Sequence, residues 1–100
     1  MTPTLANFTQ AALGGARAYR AAALADGWTS EPTYEFEEEE RASRHRRDGF
    51  LMSIIAREPR AATKHLIESR KPEGSVSIWG PDSLAIAVPM PYSWGALVAG

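Results

Sequence analysis

The sequence contains no cysteine, and this absence excludes disulfide bonds, thiolate nucleophiles and cysteine-ligated zinc. No stretch approaches the ~20 apolar residues that cross a membrane as a helix. The first residues, MTPTLANF, lack the basic start and long apolar run of a signal peptide. With a net charge of −1, no global field draws the chain to nucleic acid or an anionic membrane. We therefore expect a cytoplasmic protein with no membrane contact.

Residues that could carry catalysis are equally few. The two histidines, His45 and His65, are the only side chains that titrate near neutrality without perturbation. Arginines flank His45, which is typical of a solvated helix face, and Glu68 follows His65 at i+3 without a third metal ligand. No GxSxG, HExxH or Walker motif is present, and exposed glutamates make poor general acids. The sequence predicts a non-enzymatic protein with no cofactor and no metal.

What is present is an ordinary globular composition. Apolar residues make up 44% of the chain and charged residues 23%, which argues against disorder. A chain of 100 residues can bury one modest core. We therefore expect a single domain over residues 1–100.

The N-terminal third predicts a long helix that ends at about Asp26. Gly27 is the expected residue after its C-cap, with Trp28 folding back onto the last turn. The Gly14-Gly15 pair in the middle indicates close packing or a break in the helix, and it lacks the context of a phosphate-binding loop. Apolar residues recur at spacings of three or four and form one stripe: Leu5, Phe8, Ala12, Ala16, Tyr19 and Ala23.

The charged stretch Tyr34–Arg47, YEFEEEERASRHRR, separates this helix from a more apolar C-terminal half. Its acids come first and its bases last, an order that a helix dipole favours. Thr33 can cap the start of such a helix and Gly49 can end it. Our interpretation is a solvated helix, and the alternative is a strand over Tyr34–Glu38, where aromatic and acidic residues alternate.

The C-terminal half predicts strands around one short helix. The run Phe50–Ala56 is typical of a buried strand, and a helix is expected from about Pro59 to Arg70. Ser75–Trp79 and Leu84–Val88, joined by the turn residues GPDS, predict a β-hairpin. Its apolar residues are expected to share one buried face: Val76, Ile78, Leu84, Ile86 and Val88. The fold class is therefore α+β, with two to three helices packed on one face of a small antiparallel or mixed sheet and a C-terminal β-hairpin.

Two interpretations of function follow. The first is a protein-interaction module, an inhibitor or regulator that binds a partner protein, since glutamates beside aromatic residues suit an interface. The apolar tail Met90–Gly100 either packs on its own domain, the favoured interpretation, or contacts a partner. Self-association to a homodimer is one form of that contact. Small proteins from phages and mobile elements, anti-CRISPR proteins among them, are similar in type because they share this size and lack catalytic residues. The residues of this predicted surface are Tyr34, Glu35, Phe36, Glu37, Glu38, Glu39, Glu40, Tyr92 and Trp94.

The second interpretation is a nucleic-acid-binding accessory protein. Its contacts would come from basic residues clustered on the predicted charged helix, which could reach phosphates. The upstream glutamates and the slightly negative net charge make it the weaker interpretation. The basic cluster consists of Arg41, Arg44, Arg46 and Arg47.

Overall fold

The computed structural model describes Phe8 and residues 11–31, 42–56 and 60–92. Within these ranges one five-stranded antiparallel sheet, with the strand order β1-β2-β3-β5-β4, is packed against two α-helices. The molecule is thus a small α+β domain. Its elements in chain order are a 3-10 turn (Ala12–Gly14), α1 (Gly15–Ala25), β1 (Thr29–Glu31), β2 (Ala42–Arg47), β3 (Phe50–Ile55), α2 (Ala61–Arg70), β4 (Val76–Trp79) and β5 (Leu84–Pro89).

The two helices lie on opposite faces of the sheet, so the prediction that the helices pack on one face is wrong. β3 and β5 are central strands, and their apolar runs FLMSII and LAIAV supply buried side chains to both faces. The core of the α1 face contains Phe8, Ala16, Tyr19, Ala23, Trp28, Met52, Ile54, Ala85 and Ala87. The core of the α2 face contains Leu51, Ile67, Leu84, Ile86 and Val88.

The register between β4 and β5 differs by one residue from the expected one. Val76 lies opposite Ala87 and Ile78 opposite Ala85, which places Val76 and Ile78 on the α1 face. The other three apolar residues predicted to share that face occupy the α2 face: Leu84, Ile86 and Val88. A shift of one residue in register moves every side chain of a strand to the other face of the sheet. Here the turn between β4 and β5 determines the register, because the Gly80 N–H donates to the Ser83 carbonyl at 2.8 Å.

The N-terminal helical region is broken at Gly15, whose φ of 74° and ψ of −165° suit only glycine. Helix α1 then runs to Ala25, and Gly27, with φ of 82°, ends it in the left-handed region as predicted. The Trp28 N–H donates to the Ala23 carbonyl at 3.0 Å, which confirms that Trp28 folds back onto the last turn. Its indole is buried in the core of the α1 face.

The predicted charged helix is wrong over its second half, because Ala42–Arg47 forms strand β2. Asp48 and Gly49, with φ of 50° and 83°, make the two-residue turn of a hairpin, and Arg47 lies opposite Phe50. Local charge pairs on a helix contribute only about 0.2–0.5 kcal/mol each. Pairing with the buried strand β3 outweighs them. The first half of the predicted helix, including the alternative strand Tyr34–Glu38, lies outside the described residues.

The predicted buried strand is confirmed as β3, and the predicted helix ending at Arg70 is confirmed as α2. Ile67 is the buried residue of α2. Neither described helix has the length and the apolar run that crossing a bilayer would require.

Candidate functional site

The residues of the predicted interaction surface fall in two places. Those from Tyr34 to Glu40, and Trp94, lie outside the described residues. Tyr92 is described: it follows β5, and 49% of its surface is exposed. Met90 beside it is 39% exposed. The structure thus positions one residue of the predicted surface and leaves it accessible to a partner.

The strand register determines where residues 32–41, which we name the acidic segment, join the sheet. Ala42, the first residue of β2, lies opposite Ile55, and Ile55 lies opposite Leu84, the first residue of β5. The acidic segment therefore enters β2 at the end of the sheet where β5 begins. Tyr92 follows the other end of β5, and the strand between them spans roughly 17 Å at about 3.4 Å per residue. In the described part of the chain, Tyr92 is therefore not close to Ala42, the residue at which the acidic segment joins β2.

The basic cluster is divided between the two faces of the sheet. Side chains alternate along a strand, so Arg44 and Arg46 share the α2 face while His45 and Arg47 share the α1 face. Arg41 lies outside the described residues. The interpretation that placed these bases together on one helix is therefore wrong in its geometry.

A buried polar network lies where α1 crosses the first two strands. His45 is 2% exposed, its Nε2 lies 2.9 Å from Ser43 Oγ, and its Nδ1 lies 3.4 Å from Ser30 Oγ. Arg20 of α1 donates from Nε to the same Ser43 Oγ at 3.1 Å. We name these four residues the His45 cluster. Its side chains join α1, β1 and β2.

The environment of His45 favours the neutral imidazole. Burial lowers the pKa of His45 below its ordinary value, and the positive charge of Arg20 lowers it further, while a backbone hydrogen bond with Thr29 raises it in part. The contact between Ser43 and His45 also has the length found between a nucleophile and its base. However, the imidazole is enclosed, and its two nitrogens face hydroxyl groups of the cluster. The arrangement holds the imidazole between α1, β1 and β2.

The expectation that His45 lies on a solvated helix face is wrong, and one signal in the sequence could have corrected it. Asp-Gly between RHRR and FLMSII is typical of a two-residue hairpin turn. A hairpin at Asp48-Gly49 makes the preceding residues a strand, and the alternation then places Ser43 and His45 on the same face as Met52 and Ile54.

A second polar network fastens α2 to β4. Glu68 Oε1 accepts hydrogen bonds from Ser77 Oγ at 2.6 Å and from Trp79 Nε1 at 2.7 Å, and Glu68 Oε2 lies 2.7 Å from Lys71 Nζ. Lys64 Nζ lies 5.6 Å from the centre of the Trp79 ring. Partial burial raises the pKa of Glu68, but hydrogen bonds from Lys71, Ser77 and Trp79 outweigh it and lower the pKa to about 2. We name Glu68, Lys71, Ser77 and Trp79 the Glu68 cluster.

The described residues contain no group of three or more metal-ligating side chains. The carboxylate of Glu68, three residues after His65, is directed to the hydrogen bonds of its own cluster. No protein-family model matches the chain, and neither a curated protein nor a solved structure matches it.

Proposed function

We propose that the chain is a non-enzymatic protein-interaction module, an inhibitor or regulator that binds a partner protein through the acidic segment and nearby aromatic residues. One observation carries the proposal: the acidic segment lies between β1 and β2, and these strands are paired residue by residue. Connections held by a rigid sheet are where binding residues are commonly displayed. The segment holds five glutamates, together with Tyr34 and Phe36.

This composition indicates the chemistry of the partner. Glutamates attract a surface rich in lysine and arginine and accelerate its approach. Aromatic side chains supply the central contacts that carry most of the binding energy in protein interfaces. We therefore infer a partner protein that presents a basic surface with an apolar pocket.

Tyr92 and Trp94 complete the proposed surface. Tyr92 is half exposed, and Met90 adds further accessible apolar area near it. Because Tyr92 follows the end of β5 that is remote from Ala42, where the acidic segment joins β2, we assign it a second and weaker contact. Its truncation to alanine should weaken binding less than loss of charge in the acidic segment.

The test begins with capture of partners by the tagged full chain from nuclease-treated and untreated lysate, followed by purification of the captured protein. Affinity is then measured by calorimetry for wild type and for a variant carrying Glu38→Lys and Glu39→Gln. The matched control carries Asp48→Asn and Glu73→Lys, which changes the net charge equally at two exposed positions. Asparagine tolerates the positive φ at position 48.

We expect the acidic-segment variant to weaken binding by roughly tenfold or more and the control to leave affinity unchanged. Equal affinity for all three proteins would contradict the proposal. Recovery that vanishes after nuclease treatment would instead favour the nucleic-acid interpretation through Arg41, Arg44, Arg46 and Arg47.

A further inference from the structure

The His45 cluster lies next to Glu31 and Ala42, the two residues on either side of the acidic segment. Ser30 is the penultimate residue of β1 and Ser43 is the second residue of β2, so the cluster contacts both strands just where the acidic segment leaves and re-enters the sheet. Arg20 extends the same contacts to α1. The cluster therefore links the two strands on either side of the acidic segment to each other and to α1.

The hydrogen bonds between Arg20, Ser43 and His45 use every donor and acceptor when His45 Nε2 is unprotonated. Arg20 Nε can only donate, so Ser43 Oγ accepts from it. The hydroxyl hydrogen of Ser43 is then free to be donated to His45 Nε2, 2.9 Å away, when that nitrogen is unprotonated. In that arrangement the ring proton lies on Nδ1, which is 3.4 Å from Ser30 Oγ, and the Thr29 backbone also forms a hydrogen bond with the ring.

Protonation of Nε2 removes that acceptor. The imidazolium would present a second donor to a hydroxyl oxygen that already accepts from a guanidinium, and the Ser43 hydrogen would lose its acceptor. The groups that face His45 are Arg20 from α1, the Thr29 backbone and Ser30 from β1, Ser43 from β2 and Met52 from β3, and the charged group among them, Arg20, is positive. A buried cation at this position is costly.

We propose that the His45 cluster is an acid-sensitive switch that holds β1 against β2 and α1 at neutral pH and releases β1 when His45 is protonated. The released state exposes the ring, so it binds a proton more readily than the closed state. Because the pKa of His45 is lowered in the closed state, release becomes more favourable below about pH 6.5, by at most roughly tenfold per pH unit. Weaker binding of a partner in acid would follow, and that consequence alone rests on the proposed function.

The experiment is an NMR titration of the free, isotope-labelled chain from pH 8 to pH 4.5. It follows the His45 ring signals together with the hydrogen-exchange protection of backbone amides, corrected for intrinsic exchange. The His45→Gln variant keeps a carbonyl acceptor but does not titrate, and His65→Gln at an exposed position is its matched control. Ser43→Ala keeps the imidazole but removes the hydroxyl that links it to Arg20.

In wild type and in His65→Gln, we expect protection in β1 and β2 to fall as His45 is protonated, while protection in β4 and β5 persists. His45→Gln should abolish this pH dependence, and Ser43→Ala should lower β1 protection already at pH 7.5. Protection that is independent of His45 protonation, or that falls equally in all five strands, would overturn the proposal. The wild-type titration alone decides this if a variant fails to fold. No partner is involved, so failure of the switch and failure of the proposed binding function are distinguishable.

Discussion

The two faces of the sheet hold their helices by different means. On the α1 face, helix and strands share a broad apolar core that includes Tyr19, Trp28, Met52 and Ile54. On the α2 face, the helix contributes one buried side chain, Ile67, and is otherwise joined to β4 by the Glu68 cluster at the surface. The α1 face therefore depends mainly on apolar burial, whereas attachment of α2 depends on one apolar contact and several charge-assisted hydrogen bonds.

This difference indicates how each helix can separate from the sheet. Apolar burial over many residues is cooperative, so α1 should be lost only when the whole domain unfolds. A helix with one buried anchor and exposed hydrogen bonds belongs to the less stable part of a structure. We therefore expect α2 to open locally while the α1 face stays folded.

Trp28→Ala should have the largest effect. The indole is 3% exposed in the core of the α1 face, and truncation of a buried tryptophan costs about 3–5 kcal/mol. That is a large share of the stability of a small domain. Urea unfolding monitored by circular dichroism should show a lower midpoint with a single transition.

Ile67→Ala is the matched change on the other face, with an expected cost of about 2–4 kcal/mol for loss of a buried isoleucine. Here hydrogen exchange should show α2 amides losing protection before those of β3 and β5. Simultaneous loss of protection in α2 and in the sheet would show that both faces unfold together. It would contradict the expectation that α2 opens locally while the α1 face stays folded.

Gly80→Ala tests how closely the N-terminal helical region approaches the sheet. A Cβ at position 80 would lie 2.5 Å from the Ala12 carbonyl oxygen and 3.0 Å from Ser83 Oγ. Because backbone atoms yield little, we expect a destabilisation of about 1–3 kcal/mol, as for other overpacking changes. Thermal unfolding measures it, and an unchanged midpoint would show that the Ala12–Gly14 turn moves freely away from the β4–β5 turn.

The fold was predictable where one strong local signal and burial agreed. The run FLMSIIA predicted β3, and Gly27 with Trp28 predicted the end of α1, because a left-handed glycine and an apolar residue after it are local requirements. These features do not depend on which strands pair with which.

Strand β2 shows why the order of charges in the sequence failed to predict its secondary structure. Five residues of the run ASRHRR are polar, and acidic residues precede its basic residues in the order that a helix dipole favours. The run nevertheless pairs with β3 over six residues. That pairing is a tertiary contact, which outweighs local propensity. The His45 cluster was missed for the same reason, since Arg20, Ser30 and Ser43 meet His45 only after β1, β2 and α1 have assembled.

Gly49→Ala should have a smaller effect than the packing changes. No atom lies within 4 Å of a Cβ at position 49, so the cost is the positive φ of 83° alone, about 1 kcal/mol. Asp48→Asn is the control, because asparagine adopts such angles readily. Amides of β2 next to the turn should lose protection in the alanine variant. Equal stability of the two variants would argue against the two-residue hairpin turn.

Glu68→Gln should have the smallest effect on stability at neutral pH. The size of that effect should depend on pH. Glutamine keeps an acceptor for Ser77 and Trp79 but loses the charge that faces Lys71. Because 38% of the Glu68 side chain is exposed, solvent screens the loss and we expect about 0.5–1 kcal/mol at pH 7.

The pKa of Glu68 is lowered in the folded state, so the stability that its charge contributes is present above its ordinary value of 4.5 and is lost as the pH falls toward about 2. The difference in urea midpoint between wild type and Glu68→Gln should therefore narrow between pH 5 and pH 2. Titration of His45 affects both proteins equally and cancels in this difference, and Glu73→Gln at an exposed turn is the matched control for the loss of one carboxylate. A difference that stays constant down to pH 2 would mean that the geometry of the hydrogen bonds, and not the carboxylate charge, fastens α2 to the sheet.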